Sequence, residues 1–186
     1  MSDHSTIGER IAQVSCFTSL GVLNTTQQLA QACLAGIEGA DPEIVAEETL
    51  CLVAQTTARA AEVGLREEPD VAAAVIPSIL QLPFSYHDYL IGGAIVAQED
   101  TSLVEASRES YGRLLKKSEF YAAQFPPNQF PGERALEEKM EFWMGRISPP
   151  GLPEMPGARM RRLELVPILL THLKLVLAFG RKGPGA

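Results

Sequence analysis

The densest group of chemically versatile side chains in this sequence is Tyr86-His87-Asp88-Tyr89. The imidazole of His87, next to an acidic residue, can act as a general base or bind a ligand near neutral pH. Adjacent residues on a helix point about 100° apart, so we do not expect His87 and Asp88 to form a dyad. A structural interpretation competes with the functional one, because Ser85 and Asp88 approximate a capping box at a helix start.

Aromatic residues are concentrated in the second half of the chain. Ten of the twelve lie between Phe84 and Trp143, whereas the first 83 residues contain only Phe17. Apolar walls with a few hydroxyl groups are typical of small-molecule pockets. The alternative is a solid core in which the hydroxyls bond to backbone or water. The pocket candidates are Tyr86, His87, Tyr89, Ser107, Tyr111, Ser118, Tyr121 and Trp143.

An acidic cluster, Glu137-Glu138-x-x-Glu141, is a second pattern that could do chemistry. Such spacing presents several carboxylates from one helix, and hard cations such as Mg²⁺ prefer oxygen ligands. The cluster resembles the E-E-x-x-E half of the motif of MazG-type nucleotide pyrophosphohydrolases, all-α enzymes whose carboxylates hold Mg²⁺. The second half, E-x-x-D, is missing, since neither Glu154 nor Glu164 has Asp or Asn three positions later. A solvated acidic helix face is the competing interpretation.

Other catalytic and metal-binding signatures are absent from the sequence. No nucleophile-elbow, P-loop or dinucleotide-binding glycine pattern occurs, and no E-x-x-H pair of the di-iron bundle type. The three histidines, His4, His87 and His172, are scattered over three segments. The sequence therefore predicts no catalytic residue and no cofactor, and it offers Glu137, Glu138 and Glu141 as the only metal candidates.

Composition and net charge restrict the kinds of protein and partner that this sequence is compatible with. The chain has 186 residues, of which 46% are hydrophobic and 21% charged, so it fits one globular domain. The net charge of −7 opposes binding to phosphate backbones, so nucleic acid is not an expected partner. Cys16, Cys33 and Cys51 form no C-x-x-C pair, and the N-terminus lacks a secretory pattern. We therefore expect a cytoplasmic location.

Helix signals run along the whole chain without an alternating strand pattern. They predict an all-α, single-domain bundle of about seven to eight helices. Gly21 is predicted to end a first helix, and a second runs from Thr25 to about Gly36. Asp41-Pro42 combines an N-cap with proline at the first helical position, which predicts a third helix that Gly64 ends.

Later helix boundaries follow from proline, glycine and capping residues. Pro77 predicts a kink or a split in a fourth segment that Asp70 opens. A fifth helix is predicted from Tyr86 to about Gln98, and a sixth from Asp100 or Thr101 to about Phe125. A seventh runs from Pro131 to Ile147.

The C-terminal part is a proline-rich strap followed by an apolar helix. Ser148 to Gly157 reads S-P-P-G-L-P-E-M-P-G, which predicts an extended path. Leu163 to Phe179 is apolar on nearly every face, which predicts burial on the bundle or against a second subunit. Pro167, His172 and Lys174 interrupt this short segment, so no membrane span is expected. The predicted organisation is a bundle at 1–147, the strap at 148–158, the helix at 159–180 and a flexible tail at 181–186.

Two further groups are candidates for contacts. Arg159, Arg161 and Arg162 start the last helix, where the macrodipole disfavours cations. We expect them to face the acidic cluster at residues 137–141, a bound anion or an acidic partner protein. Phe120 falls among charged positions, so it is a candidate exposed contact. The interface candidates are Phe120, Leu163, Val166, Leu170, Leu173 and Leu177.

Three hypotheses of function follow. The first is a cytoplasmic adaptor or chaperone-like interaction protein without catalysis, which forms a homodimer or binds an unidentified protein. The second is a small-molecule-binding protein or minor enzyme with an aromatic-lined pocket between the fifth, sixth and seventh helices. The third is a Mg²⁺-dependent nucleotide pyrophosphohydrolase-like enzyme.

Overall fold

The computed structural model describes residues 3–98 and 102–182, with side-chain environments for 6–89 and 104–182. Within these ranges it contains seven helices and no strand, which confirms the predicted all-α class. The predicted tail falls mostly outside the described residues. The helices are α1 (Asp3–Gly36), α2 (Pro42–Gly64), α3 (Pro69–Gln98), α4 (Ser102–Gln124), α5 (Glu133–Ile147), α6 (Pro156–Arg162) and α7 (Leu165–Arg181).

The helix α1 is continuous, so the predicted end at Gly21 is wrong. A single glycine costs a helix only about 1 kcal/mol relative to alanine, which packing on one face readily offsets. That face is buried along the whole helix at Val14, Val22 and Leu29. A Cβ at Gly21 would lie 2.6 Å from Cε1 of His172, so this glycine serves the close approach of α7.

The helix α3 is also continuous, and the predicted split at Pro77 and the separate start at Tyr86 are wrong. Pro77 and Pro83 both lie inside it. A proline removes one intrahelical hydrogen bond and strains the preceding turn. Buried Val75 and Ile79 lie on either side of Pro77 in the chain, both 0% exposed, and their burial offsets that cost.

The centre of the molecule is α2, which packs against α1, α3, α4, α5 and α7. Its predicted start is confirmed, because Oδ1 of Asp41 accepts hydrogen bonds from the backbone N–H groups of Glu43 at 2.8 Å and Ile44 at 3.1 Å. Every residue from Glu48 to Ala61 is buried. Polar residues of this helix therefore need partners inside the protein.

The C-terminal segment forms two helices rather than one. Glu164 between them adopts a left-handed conformation with φ of 52°, and the two axes differ in direction by 68°. The second, α7, packs on α1, α2 and α5 of its own chain, with Leu165, Leu169 and Leu173 0% exposed. No single described helix has the length and hydropathy of a membrane span, and α6 and α7 reach that threshold only when taken together.

A buried arginine ties the start of α1 to the end of α7. The Arg10 guanidinium donates hydrogen bonds to the carbonyl oxygens of Phe179 at 3.1 Å and Gly180 at 3.0 Å. It also binds both carboxylate oxygens of Glu68, each at 3.0 Å. A cation at a helix C-terminus is favoured by the macrodipole and satisfies carbonyls that have no partner within the helix.

Candidate ligand cavity

A cavity of about 340 Å³ lies between α2, the second half of α3 and the first half of α4. Its apolar lining consists of Ala46, Leu50, Pro83 and Leu114. Its polar lining consists of Glu43, Glu47, Tyr86, His87 and Ser110. Apolar walls with a few polar groups are typical of small-molecule sites, and this volume is near the lower end of their range.

His87 is a buried lining residue, and one of its two ring nitrogens lacks a hydrogen-bond partner among the described residues. Its side chain is 7% exposed, and its Nδ1 lies 3.2 Å from Oδ1 of Asp88. Its Nε2 is buried and has no hydrogen-bond partner among the described residues. A buried polar atom without a partner costs the folded state about 1–3 kcal/mol. The expectation that the adjacent His87 and Asp88 form no dyad is wrong, since the exposed Asp88 side chain reaches back to the ring and orients it.

Aromatic rings hold the histidine in place. The ring of Tyr111 meets the imidazole of His87 edge-on, with centroids 5.9 Å apart. The same tyrosine ring lies 5.0 Å from that of Phe84. Tyr111 and Phe84 come from α4 and α3, so this contact joins the two helices beside the cavity. Such ring pairs add about 0.5–1.5 kcal/mol beyond area burial.

Three polar lining residues, Glu43, Glu47 and Ser110, were not among the sequence candidates. Oγ of Ser110 is 3.5 Å from Oε1 of Glu47, whose other oxygen accepts a hydrogen bond from Nζ of Lys117. Exposed Glu43 is paired with Arg113 at 3.1 Å. The carboxylates at the cavity are therefore both neutralised by cations of α4. The signal for Ser110 was in the sequence, since it lies one turn before Leu114 on the inner stripe of that helix.

Other predicted pocket residues lie in the core and not in the cavity. The hydroxyl of Tyr121 donates a hydrogen bond of 2.6 Å to Glu48, which also accepts from Arg146 at 2.7 and 2.8 Å. Glu48 is only 2% exposed. Burial and the neighbouring Glu48 carboxylate raise the pKa of Tyr121 well above its usual value. This cluster joins α2, α4 and α5, and its polar atoms already have partners.

The remaining pocket candidates are dispersed. Oγ of Ser118 lies 3.6 Å from the thiol of Cys51, whose pKa burial raises to about 12. Trp143 is 0% exposed, and its Nε1 has no partner in the described part of the chain. Tyr89 is 79% exposed, and Ser107 is half-buried and does not line the cavity. Of the eight predicted residues, the structure brings Tyr86, His87 and Tyr111 together.

Two of the three candidate arginines at the C-terminal end do not meet the acidic cluster as expected. Arg159 and Arg162 both pair with Glu154, at 3.6 and 2.9 Å, so the acidic partner comes from the strap and not from the 137–141 cluster. The three glutamates of that cluster are exposed. Within the described residues no three His, Cys, Asp or Glu side chains are grouped closely enough to hold a metal ion. Arg161 is exposed near Glu137 and Glu164.

The predicted interface residues are mostly occupied within the chain. Val166, Leu170 and Leu173 are buried, while Leu163 and Leu177 are half-buried. Half-buried Phe120 makes a cation–π contact with Arg146. Cζ of the arginine lies 4.5 Å from the centroid of the phenylalanine ring. None of these six side chains is fully exposed.

Fold and site together define an all-α bundle with an apolar-walled cavity that contains a buried histidine. Comparison of the chain with protein-family models, curated proteins and solved structures produced no match.

Proposed function

We propose that this protein binds a small, mainly apolar molecule in the cavity between α2, α3 and α4. The observation that supports the proposal is the buried Nε2 of His87, which has no partner among the described residues and belongs to a residue that lines a cavity of about 340 Å³. A core that only packed these helices together would avoid the unpaired polar atom, because such an atom destabilises the folded state.

The contact between His87 and Asp88 indicates which polar group the ligand carries. If Nδ1–H donates to Asp88, at the observed 3.2 Å, the neutral ring presents Nε2 as an acceptor. The ligand then carries a hydroxyl or N–H group on an apolar body. Because Glu43 and Glu47 are already paired with Arg113 and Lys117, a charged ligand gains little from them.

Matched small probes test this proposal. Phenol and indole have a donor on an aromatic body, and toluene lacks the donor. We expect phenol to bind about five- to tenfold more tightly than toluene, as one net hydrogen bond of about 1 kcal/mol requires. Binding is measured by calorimetry and by NMR shifts of the His87 ring.

The variant His87→Leu should lose the preference for phenol while still admitting toluene. Tyr89→Ala, at an exposed position of the same helix that does not line the cavity, is the control and should keep it. Absence of binding by all three probes, or an unchanged preference in His87→Leu, would contradict the proposal.

A second candidate function is that of a homodimeric interaction protein, of the adaptor or chaperone-like kind. The apolar helix α7 supports it less than its sequence suggests, because that helix is buried in its own chain. The outer face of α1 supports it instead, since it is long, free of charge and open to solvent.

A further inference from the structure

The outer face of α1 has an unusual composition. From Ile11 to Ile37 the chain contains no Asp, Glu, Lys or Arg. The exposed apolar residues of this stretch are Ala12, Cys16, Leu20, Leu23, Leu34 and Ala35. Its exposed polar residues are Gln13, Asn24, Gln27, Gln28 and Gln31. Charged groups begin again only at Arg10 on one side and Glu38 on the other.

The helix α3 also lacks Asp, Glu, Lys and Arg from Val71 to His87, but most of its exposed residues there are small or polar, such as Ala73, Ala74 and Ser78. The helix α4 is built differently. The exposed side of α4 carries Glu105, Arg108, Glu109, Arg113, Lys116 and Glu119. Charged residues are the usual choice for a solvated helix face, because burying them is costly and hydrating them is not. The outer face of α1 therefore resembles a contact surface more than a solvated one.

The apolar side chains on this face are aligned. At about 100° per residue, Cys16, Leu20, Leu23 and Leu34 fall within about 60° of one another. Leu20 is 64% exposed, and Leu23 and Leu34 are each 41% exposed. Isolated exposed leucines are ordinary, but Cys16, Leu20 and Leu23 are aligned over two turns. Leu34 lies on the same line three turns later, after the exposed Gln27. Such a stripe is of the kind that helices use to pack on each other.

We infer that this face binds a second copy of the same chain, α1 against α1, across a twofold axis. The chain carries a net charge of −7, so two copies repel each other wherever charged faces meet. The outer face of α1 is a long surface on which they approach without like-charge contacts. A partner recognised by its own charge would find no opposite charge here, whereas a second copy offers the same leucines and amide groups.

The size of the face suits a small dimer interface. Residues 12–35 extend over about 36 Å at about 1.5 Å per residue, and a helix is about 10 Å wide. Two such faces would together bury about 700 Å², which is the size of a weak interface between two small proteins. Isologous pairing of one patch with itself is the commonest arrangement in homo-oligomers.

Sedimentation velocity on the full chain tests the inference. The monomer mass is 20.2 kDa, and we expect the wild-type protein to sediment as a species of twice that mass. Leu20→Glu with Leu23→Glu should yield monomer, because four carboxylates would then face each other across the axis. Phe142→Glu, at an apolar position of α5 that is 60% exposed, is the matched control and should remain dimeric.

Three sedimentation results would overturn the inference. Monomeric wild-type protein overturns the inference, as does a dimer that survives the double substitution or a dimer lost in Phe142→Glu. If circular dichroism shows that the double variant does not fold, Gln27→Glu decides, since it changes one exposed residue at the centre of the face. That variant should raise the dimer dissociation constant at least tenfold. The cavity proposal is independent of these results, because phenol binding requires no contact of α1.

Discussion

Single buried polar residues join distant parts of this chain. The hydroxyl of Thr57 and Nε2 of His172 are 2.8 Å apart, although 115 positions separate them in sequence. Burial lowers the pKa of His172 to about 4, so the ring is neutral in the folded protein at neutral pH. Its Cε1 also occupies the space that only a glycine at position 21 leaves open.

The lowered pKa of His172 predicts acid sensitivity. In the unfolded chain the imidazole takes up a proton near its ordinary pKa of 6.5, whereas in the folded protein it does so only near pH 4. The neutral, buried His172 ring therefore stabilises the folded protein fully above pH 6.5. As the pH falls from 6.5 toward 4, the free energy of unfolding decreases by about 3 kcal/mol. Urea unfolding of the wild type and of His172→Gln at pH 7 and pH 4.5 measures it. The variant should show a smaller loss on acidification, and an identical loss in both proteins would contradict the assignment.

Close packing at Gly21 predicts a destabilising alanine substitution. A Cβ there lies 2.6 Å from Cε1 and 3.0 Å from Nδ1 of His172, so the ring or α7 must move. We expect Gly21→Ala to lower the free energy of unfolding by about 1–3 kcal/mol despite the better helix propensity of alanine.

Gly112→Ala on α4 is the matched control for this substitution, because a Cβ there meets nothing within 4 Å. Thermal unfolding should show that this change stabilises the protein by up to about 1 kcal/mol. A stabilising effect of both substitutions would show that Gly21 is not a contact position.

At the scale of elements, α2 is the helix on which α1, α3, α4, α5 and α7 pack, and α7 lies along it. The ends of α2 and α7 meet backbone to backbone, since a Cβ on Gly180 would lie 2.9 Å from the carbonyl carbon of Gly64. Arg10 of α1 holds the same end of α7 from the other side. Glycine thus allows the close approach, and the arginine satisfies the carbonyls that the end of the helix leaves unpaired.

The contacts of Arg10 predict that replacing this side chain lowers the free energy of unfolding strongly. Arg10 is 6% exposed, so Arg10→Met leaves Glu68 and two carbonyl groups without their partner in a poorly hydrated site. We expect a loss of about 3–5 kcal/mol in the free energy of unfolding, as for other broken buried pairs. Arg113→Met is the control, because Arg113 and Glu43 are both more than half exposed. Urea unfolding should place the control within about 0.5 kcal/mol of the wild type.

At the scale of the whole molecule, the C-terminal helix completes the core. Its residues Leu165, Leu169 and Leu173 are 0% exposed between three other helices of the same chain. The apolar character of this segment is thus largely accounted for by its own fold, although Leu175 on its outer side is 55% exposed.

Truncation after Arg162 tests this arrangement. Loss of α7 uncovers the facing sides of α1, α2 and α5, so we expect no cooperative thermal unfolding, strong binding of a hydrophobic dye, and aggregation. Circular dichroism and dye fluorescence make the measurement. A truncated protein with an unchanged melting temperature would show that α7 is not part of the core.

The sequence by itself determined the all-α class, the start of α2 at Asp41-Pro42 and the apolar character of the C-terminal segment. These signals are local, because helical periodicity and capping depend on residues within one or two turns. It also identified His87 and Tyr111, since aromatic and ionisable residues stand out in any segment. Only the tertiary structure decided that Gly21 and Pro77 lie inside continuous helices, because the packing of distant residues outweighs a local cost of a few kcal/mol.

Tertiary structure likewise decided where the polar groups find partners. It brought Ser110 and Glu47 to the cavity, and it left the buried Nε2 of the lining residue His87 without a partner among the described residues. It placed Tyr121 on Glu48 and Arg10 on α7. Such pairs join residues 60 to 170 positions apart, and their free energy depends on burial, which only the complete packing of the helices determines.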